Sequence, residues 1–205
     1  MIGASLGLTN KGGCFIVALD AATGVERWRF QTVARAGTPG GDTWNDAPVD
    51  ERFGAGVWTT GSYDATLNLA YFGVGNTYTT ATLLQARPGA SAVTSNDGLY
   101  TDSTIALRPE TGELVWHHQH HRRDVWDQDW AFEQTLVTLG SGASARRAVV
   151  TGGKTAVFEA VDAATGKFLF AQDTGLNNLY ASIDPLTGEK RTDPLLEPVP
   201  GKPML

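Results

Sequence analysis

Three carboxylates and two indoles lie within seven residues in the run Asp124-Val125-Trp126-Asp127-Gln128-Asp129-Trp130. Drawn as an extended segment, alternate side chains share a face, so Asp127 and Asp129 point one way while Trp126, Gln128 and Trp130 point the other. Two like charges on one face beside apolar walls are unfavourable unless something offsets them. Either the pair is open to water, as in a solvated turn with an aromatic packed beneath it, or a positive group stands in front of it. The four histidines, His117, His118, His120 and His121, stand just upstream. On a strand His118 and His120 share one face and His117 and His121 the other, so a compact four-ligand zinc site does not form and a mixed, solvated strand end is expected. No glycine-rich phosphate loop, Cys-x-x-Cys pair or Ser-His-Asp arrangement stands out.

The elements that must position these residues are announced by a repeated phrase. Ala18-Leu19-Asp20-Ala21-Ala22-Thr23-Gly24-Val25-Glu26-Arg27-Trp28 recurs as 106–116, ending in Trp116, and as 160–170, ending in Phe170, with a weaker echo at Ile183-Asp184-Pro185-Leu186-Thr187-Gly188-Glu189-Lys190. Each copy reads as an apolar strand, an Asp-x-x-Thr-Gly turn and a second strand closed by an aromatic. This is a hairpin in which glycine supplies positive φ, Asp or Thr bonds the turn backbone, and the aromatic packs between sheets. A further strand, turn and strand run from Gly56 to Asp64 and from Leu67 to Asn76. With the clear copies anchored at Asp20, Arg108 and Asp162, and propeller blades running roughly 40 to 50 residues, the chain holds about three to four blades. That is too few to close most rings, so an all-β fragment of a larger propeller is expected, with sheet edges left where neighbouring blades should pack. The whole chain, 1–205, is read as this one partial domain, and 190–205, with Pro194, Pro198, Pro200 and Pro203, as a connection rather than a core element.

Composition agrees with this and excludes some partners. A hydrophobic content of 41% is ample for a core, while 24 glycines and a charged fraction of 19% suit a turn-rich β chain. A formal net charge of −6 argues against nucleic acid or an anionic membrane as the main partner. No apolar run reaches the length of a membrane span, and the amino terminus has no basic-then-apolar leader. The single cysteine, Cys14, lies in an apolar run and reads as a buried, inert thiol.

The repeat phrase, Val57-Trp58 with Ser62-Tyr63-Asp64, Gly73-Val74-Gly75-Asn76, Leu99-Tyr100-Thr101-Asp102-Ser103 and Asp124-Val125-Trp126-Asp127 follow one another in an order and spacing that resemble the quinoprotein alcohol dehydrogenases. The resemblance covers the chain to about residue 190. It implies part of an eight-bladed ring that uses pyrroloquinoline quinone (PQQ) to oxidise an alcohol or similar hydroxylated substrate. Trp58 matches the indole that floors the quinone ring. Asn76 matches an amide ligand of the active-site cation. Asp127 matches a metal-contacting carboxylate that acts as general base while hydride passes to the quinone, and Lys154 the cation beside the quinone oxygens. Asp129 matches an extra anionic ligand found in lanthanide-dependent members and in some calcium enzymes, so Ca or a lanthanide ion is implied without a choice between them. The resemblance further implies an electron acceptor such as a cytochrome c, a periplasmic or otherwise exported parent protein, and a pocket that draws on blades beyond this chain. One departure stands out: Gly3-Ala4-Ser5-Leu6-Gly7 places Ser5 where the family has a glutamate ligand, and Asp129 is a candidate to offset that missing charge. The rival class is a non-catalytic propeller scaffold of the outer-membrane assembly type. Such a scaffold keeps the repeat and loses the pocket residues, whereas Trp58, Asn76 and Asp127 all remain here. A degenerate dehydrogenase relative that holds the cofactor poorly is the third alternative.

Overall fold

In a computed structural model of the chain, residues 1–4, 10–91 and 94–199 are described. Ser5, and the end of the proline-bearing tail from Pro200 onward, lie outside them. The chain forms β1 (Ile2–Gly3), β2 (Phe15–Leu19), β3 (Glu26–Gln31), β4 (Ser62–Asp64), β5 (Leu69–Val74), β6 (Ser103–Leu107), β7 (Leu114–Gln119), β8 (Thr135–Leu139), β9 (Arg146–Gly152), β10 (Val157–Asp162), β11 (Phe168–Asp173), β12 (Tyr180–Ile183) and β13 (Lys190–Thr192). A single helical turn, α1 (Ala81–Leu84), interrupts the long connection between β5 and β6. The strands build antiparallel sheets in sequence order: β1-β2-β3, β4-β5-β6-β7, β8-β9-β10-β11 and the hairpin β12-β13.

All four copies of the repeat are hairpins. In the first, Gly24 N donates to Asp20 O and Asp20 N to Val25 O, while Asp20 Oδ1 accepts from Ala22 N, Thr23 N and the Thr23 hydroxyl. The turn at Asp162 is bonded the same way. The weak echo is real as well, with Asp184 Oδ1 accepting from Leu186 N and Thr187 N. It also corrects the expectation for the tail: the connection does not begin at residue 190, because Lys190–Thr192 is a strand paired with Tyr180–Ile183. A second strand of the hairpin is the simplest partner for the otherwise unsatisfied backbone of Tyr180–Ile183.

The sheets stack through their aromatics. The Trp116 ring lies on the turn glycine of the next hairpin, so close that a Cβ on Gly166 would come within 2.5 Å of the indole, and Trp116 Nε1 donates to Ala163 O at 3.1 Å. Trp28 repeats the arrangement on Gly112, with Nε1 donating to Pro109 O at 2.9 Å. In the third copy Phe168, not Phe170, covers the next glycine, Gly188. Phe170 pairs with Ala160 as Trp28 does with Ala18, yet it stays largely exposed. Beneath these contacts β5 is buried on both faces: Ala70, Phe72 and Val74 join Ile16, Val33 and Trp44, whereas Leu69 and Tyr71 join Trp116, Val149 and Val161. Its alternation divides one strand between two cores, which is why the run reads as continuously apolar.

Gly24 and Gly166 occupy the same turn position with φ of 72° and 69°, but only Gly166 has a ring over it. Gly24→Ala is therefore expected to cost about 1 kcal/mol, from left-handed backbone alone. Gly166→Ala is expected to cost a further ~1–3 kcal/mol, because the added methyl displaces Trp116. Urea midpoints of the two variants check this; equal shifts would show that the indole does not rest on the turn.

Candidate functional site

The acidic run is not extended. Asp124, fully buried, accepts hydrogen bonds from Trp126 N at 2.8 Å and Gln128 N at 2.6 Å. These bonds fold the segment into a turn, and Asp127 takes φ of 67°, a left-handed conformation that aspartate tolerates better than most residues. Simple alternation along a strand is thus the wrong geometry, yet Asp127 and Asp129 still come together. What stands before them is positive: Lys154 Nζ lies 3.1 Å from Asp127 Oδ1 and 2.6 Å from Asp129 Oδ2. Lys154 sits in the turn between β9 and β10, held there by its own N–H on Asp129 O.

Asn76 arrives from the end of β5. Its backbone N–H donates to Asp129 Oδ1 at 2.9 Å and its Nδ2 to Asp127 Oδ1 at 3.0 Å. Trp58, just ahead of β4, leaves its indole 45% exposed. The close approach of these pieces needs Gly75, where a Cβ would fall 2.4 Å from the Trp58 ring and 2.8 Å from Asp129 Oδ1. Trp58, Asn76, Asp127, Asp129 and Lys154 all line one open cavity of ≈740 Å3. The five described residues matched to the family's site therefore lie in one place. Asp129 is the buried member, with a side chain 8% exposed, and Asp127 the accessible one at 71%.

The electrostatics of the cluster are uneven. Burial alone would pull the Lys154 ammonium down, but its bonds to Asp129 and Asp127 outweigh that and raise it. Burial pushes the Asp124 carboxyl up to about 6 against the pull of its two backbone N–H donors, with the Asp129 and Asp127 charges adding to the rise. Behind them lies an acid that the sequence did not mark as part of the site. Asp102 is completely buried, and burial together with the charges of Asp124 and Asp129 drives its pKa far above the usual carboxylate range. It lies in the phrase 99–103 that shares in the family resemblance, amid the hydroxyl residues Thr101, Ser103 and Thr104, but nothing there marks it as facing the cluster. The oxygens of Asn76, Asp127 and Asp129 form a hard donor set that fits a Ca²⁺-like or trivalent ion, and the ammonium already bridging the two carboxylates shows that the cluster accepts positive charge.

The histidines depart from expectation. His118 and His120 do share a side, but the strand end is not solvated: His120 and His121 are buried, and Tyr180 from the next hairpin bonds His121 Nδ1 at 2.8 Å. Packing by β12 and β13, an element without a strong periodic signal, buries them.

A family model described as PQQ: glucose/ethanol/alcohol dehydrogenase, β-propeller domain, matches residues 4–173. Quinohemoprotein alcohol dehydrogenase ADH-IIG of Pseudomonas putida is 32% identical over 87% of this chain and 26% of its own length. The dehydrogenase subunit of alcohol dehydrogenase (quinone) from Gluconobacter oxydans is 31% identical over 93% of this chain and 27% of its own. The chain thus spans about a quarter of the length of these relatives. Among solved structures, quinohemoprotein alcohol dehydrogenase ADHIIG from Pseudomonas putida HK5 superposes with a TM-score of 0.75 at 29% identity, over 89% of this chain and 28% of that one. The quinohemoprotein alcohol dehydrogenase of Comamonas testosteroni superposes with a TM-score of 0.74 at 24% identity over 89% of this chain and 28% of its own, a likeness of fold. With its repeated hairpins stacked into successive antiparallel sheets and most of its length matched by one family model, the chain belongs to the PQQ-dependent glucose/ethanol/alcohol dehydrogenase family and forms part of its β-propeller domain.

Proposed function

We propose that this chain supplies one side of the active site of a PQQ-dependent dehydrogenase that oxidises an alcohol or similar hydroxylated substrate. The observation that carries the proposal is the convergence of Trp58, Asn76, Asp127, Asp129 and Lys154, drawn from four separate stretches of sequence, on a single cavity. Trp58 would carry the flat face of the quinone, and Asn76, Asp127 and Asp129 would hold a calcium or lanthanide ion. When bound, the quinone would supply a two-electron acceptor for the hydride leaving the substrate carbon, and the ion a Lewis acid.

The chain's own contribution is to hold a base in place and aim it. Asn76 Nδ2 and Lys154 Nζ both donate to Asp127 Oδ1, which fixes the carboxylate from one side. Its exposure to the cavity lets it accept the proton of a substrate hydroxyl. Lys154 is placed to steady negative charge on a reduced cofactor, as well as on the two acids. Asp129, bonded to the Asn76 backbone, keeps the ligand set together and adds the anionic oxygen that would offset Ser5 at the family's glutamate position. The parent protein is proposed to be exported to the periplasm and to pass its electrons to a cytochrome c or an equivalent haem.

Reconstitution of the full-length protein with PQQ and either Ca²⁺ or La³⁺ tests this by dye-linked alcohol oxidation. Asp127→Asn is expected to retain quinone uptake while kcat falls on the order of 10²-fold or more. Failure of the wild-type protein to take up quinone with either ion would favour a scaffold. Asp129→Ala is expected to weaken La³⁺ binding more than Ca²⁺ binding, read by ion titration; unchanged affinities would remove Asp129 from the ligand set.

A further inference from the structure

Away from the cavity that holds Trp58 and Asp127, three potential metal ligands meet. His118 Nε2 lies 3.3 Å and His120 Nδ1 2.5 Å from the same oxygen, Glu159 Oε2, and the three ligand atoms all lie within 4.8 Å of one another. Glu159 is fully buried in β10, in the sheet next to the one that carries the histidine run. The His120 ring is clamped flat on Trp130, with centroids 4.4 Å apart and planes 7° apart, and His118 stacks on Phe168. These rings are held by packing in the positions that the cluster requires.

Gln134 Nε2 donates to Phe132 O and Thr151 Oγ1, so its Oε1 is the acceptor that faces Thr104, and the Thr104 hydroxyl donates to it at 2.7 Å. The same hydroxyl lies 2.8 Å from His120 Nε2. Its one hydrogen is already used, so it accepts there, and His120 Nε2 carries a hydrogen. In a neutral imidazole that leaves Nδ1 as a bare lone pair facing a carboxylate oxygen at 2.5 Å. Lone pair against lone pair is repulsive, and a cation bound by both atoms removes that repulsion. Lys190 does not fill the place: its ammonium bonds the other oxygen, Glu159 Oε1, and the His120 carbonyl at 2.7 Å.

We propose that His118 Nε2, His120 Nδ1 and Glu159 Oε2 form a site for a divalent transition-metal ion of the zinc class, separate from the oxygen-donor site at Asp127. Two imidazoles and one carboxylate are a common zinc donor set, and Thr104 on the far nitrogen of His120 is the outer partner that fixes a ligating imidazole's tautomer. Zinc–nitrogen bonds of ~2.0 Å put tetrahedral ligand atoms roughly 3.3 Å apart, close to the His118–Glu159 spacing, while the 2.5 Å His120–Glu159 contact must widen. His118, 17% exposed, faces a cavity of ≈580 Å3 through which the ion and a water as fourth ligand enter. The two sites then sort ions by hardness, nitrogen donors here and oxygen donors at Asp127.

The test is titration of the metal-free intact protein with Co²⁺ in the presence of excess Ca²⁺, which occupies oxygen-donor sites. The expected result is a visible ligand-field band of a four-coordinate Co²⁺, saturating at one equivalent and displaced by Zn²⁺. His118→Ala, which removes the one partly exposed ligand, is expected to weaken binding at least tenfold in protein that circular dichroism shows to be folded. Glu159→Gln is expected to abolish the band. Absence of the band in the folded wild-type protein, or an unchanged Co²⁺ affinity in folded His118→Ala, would overturn the site.

Discussion

The contact on which the molecule depends is the indole or phenyl ring of one hairpin pressed onto the turn glycine of the next. A sheet of four short antiparallel strands has two apolar faces and cannot bury either alone. Each ring closes one face and, through the tryptophan N–H, satisfies a carbonyl in its neighbour's turn, Pro109 for Trp28 and Ala163 for Trp116. Ala163 O also receives the Tyr71 hydroxyl from the core beneath, so the turn is bonded from two sides. Sheet packing and turn geometry are therefore one constraint: the glycine must have positive φ for the turn, and it must lack a side chain for the ring.

From that stacking follows the position of everything at the centre. β5 can carry Asn76 to the cavity because both of its faces are buried and its course is set by two cores at once. The acid turn 124–130 reaches the same place from the connection between β7 and β8, and Lys154 from the turn between β9 and β10. The resulting group of four acids and one ammonium is stable because its charges are not treated alike. Asp129 is buried with two donors, Asn76 N and Lys154 Nζ, while Asp127 keeps access to solvent. Burial and the charges of Asp124 and Asp129 raise the pKa of Asp102 well above the usual carboxylate range. Asp124 spends both oxygens on the backbone of its own turn.

A second buried network lies between the last described sheets. Glu159 has no exposed surface and is balanced by Lys190 from the short terminal hairpin, with His118, His120 and Thr104 around it. A buried carboxylate is tolerated only when its hydrogen-bonding capacity is used. This is why β13, three residues long, matters more to the fold than its length suggests.

The sequence by itself determined the periodic part: four Asp-x-x-Thr-Gly or related turns, the apolar strands before them and the aromatics after them, because hairpins are local and their chemistry repeats. It also showed, through the ordered phrases around Trp58, Asn76 and Asp127, which residues belonged together, though not how. Only the tertiary structure decided that the carboxylate pair is folded by Asp124 rather than extended, that the positive group in front of it is Lys154, and that Asp102 lies behind it. It likewise moved the histidines from expected solvent into a buried network, gave Phe168 the role expected of Phe170, and made Lys190–Thr192 a strand. The reason is common to all of these. Each depends on which distant segment covers a residue, and burial sets whether a charge is screened, paired or protonated, whereas the spacing of neighbours along the chain carries no record of that cover.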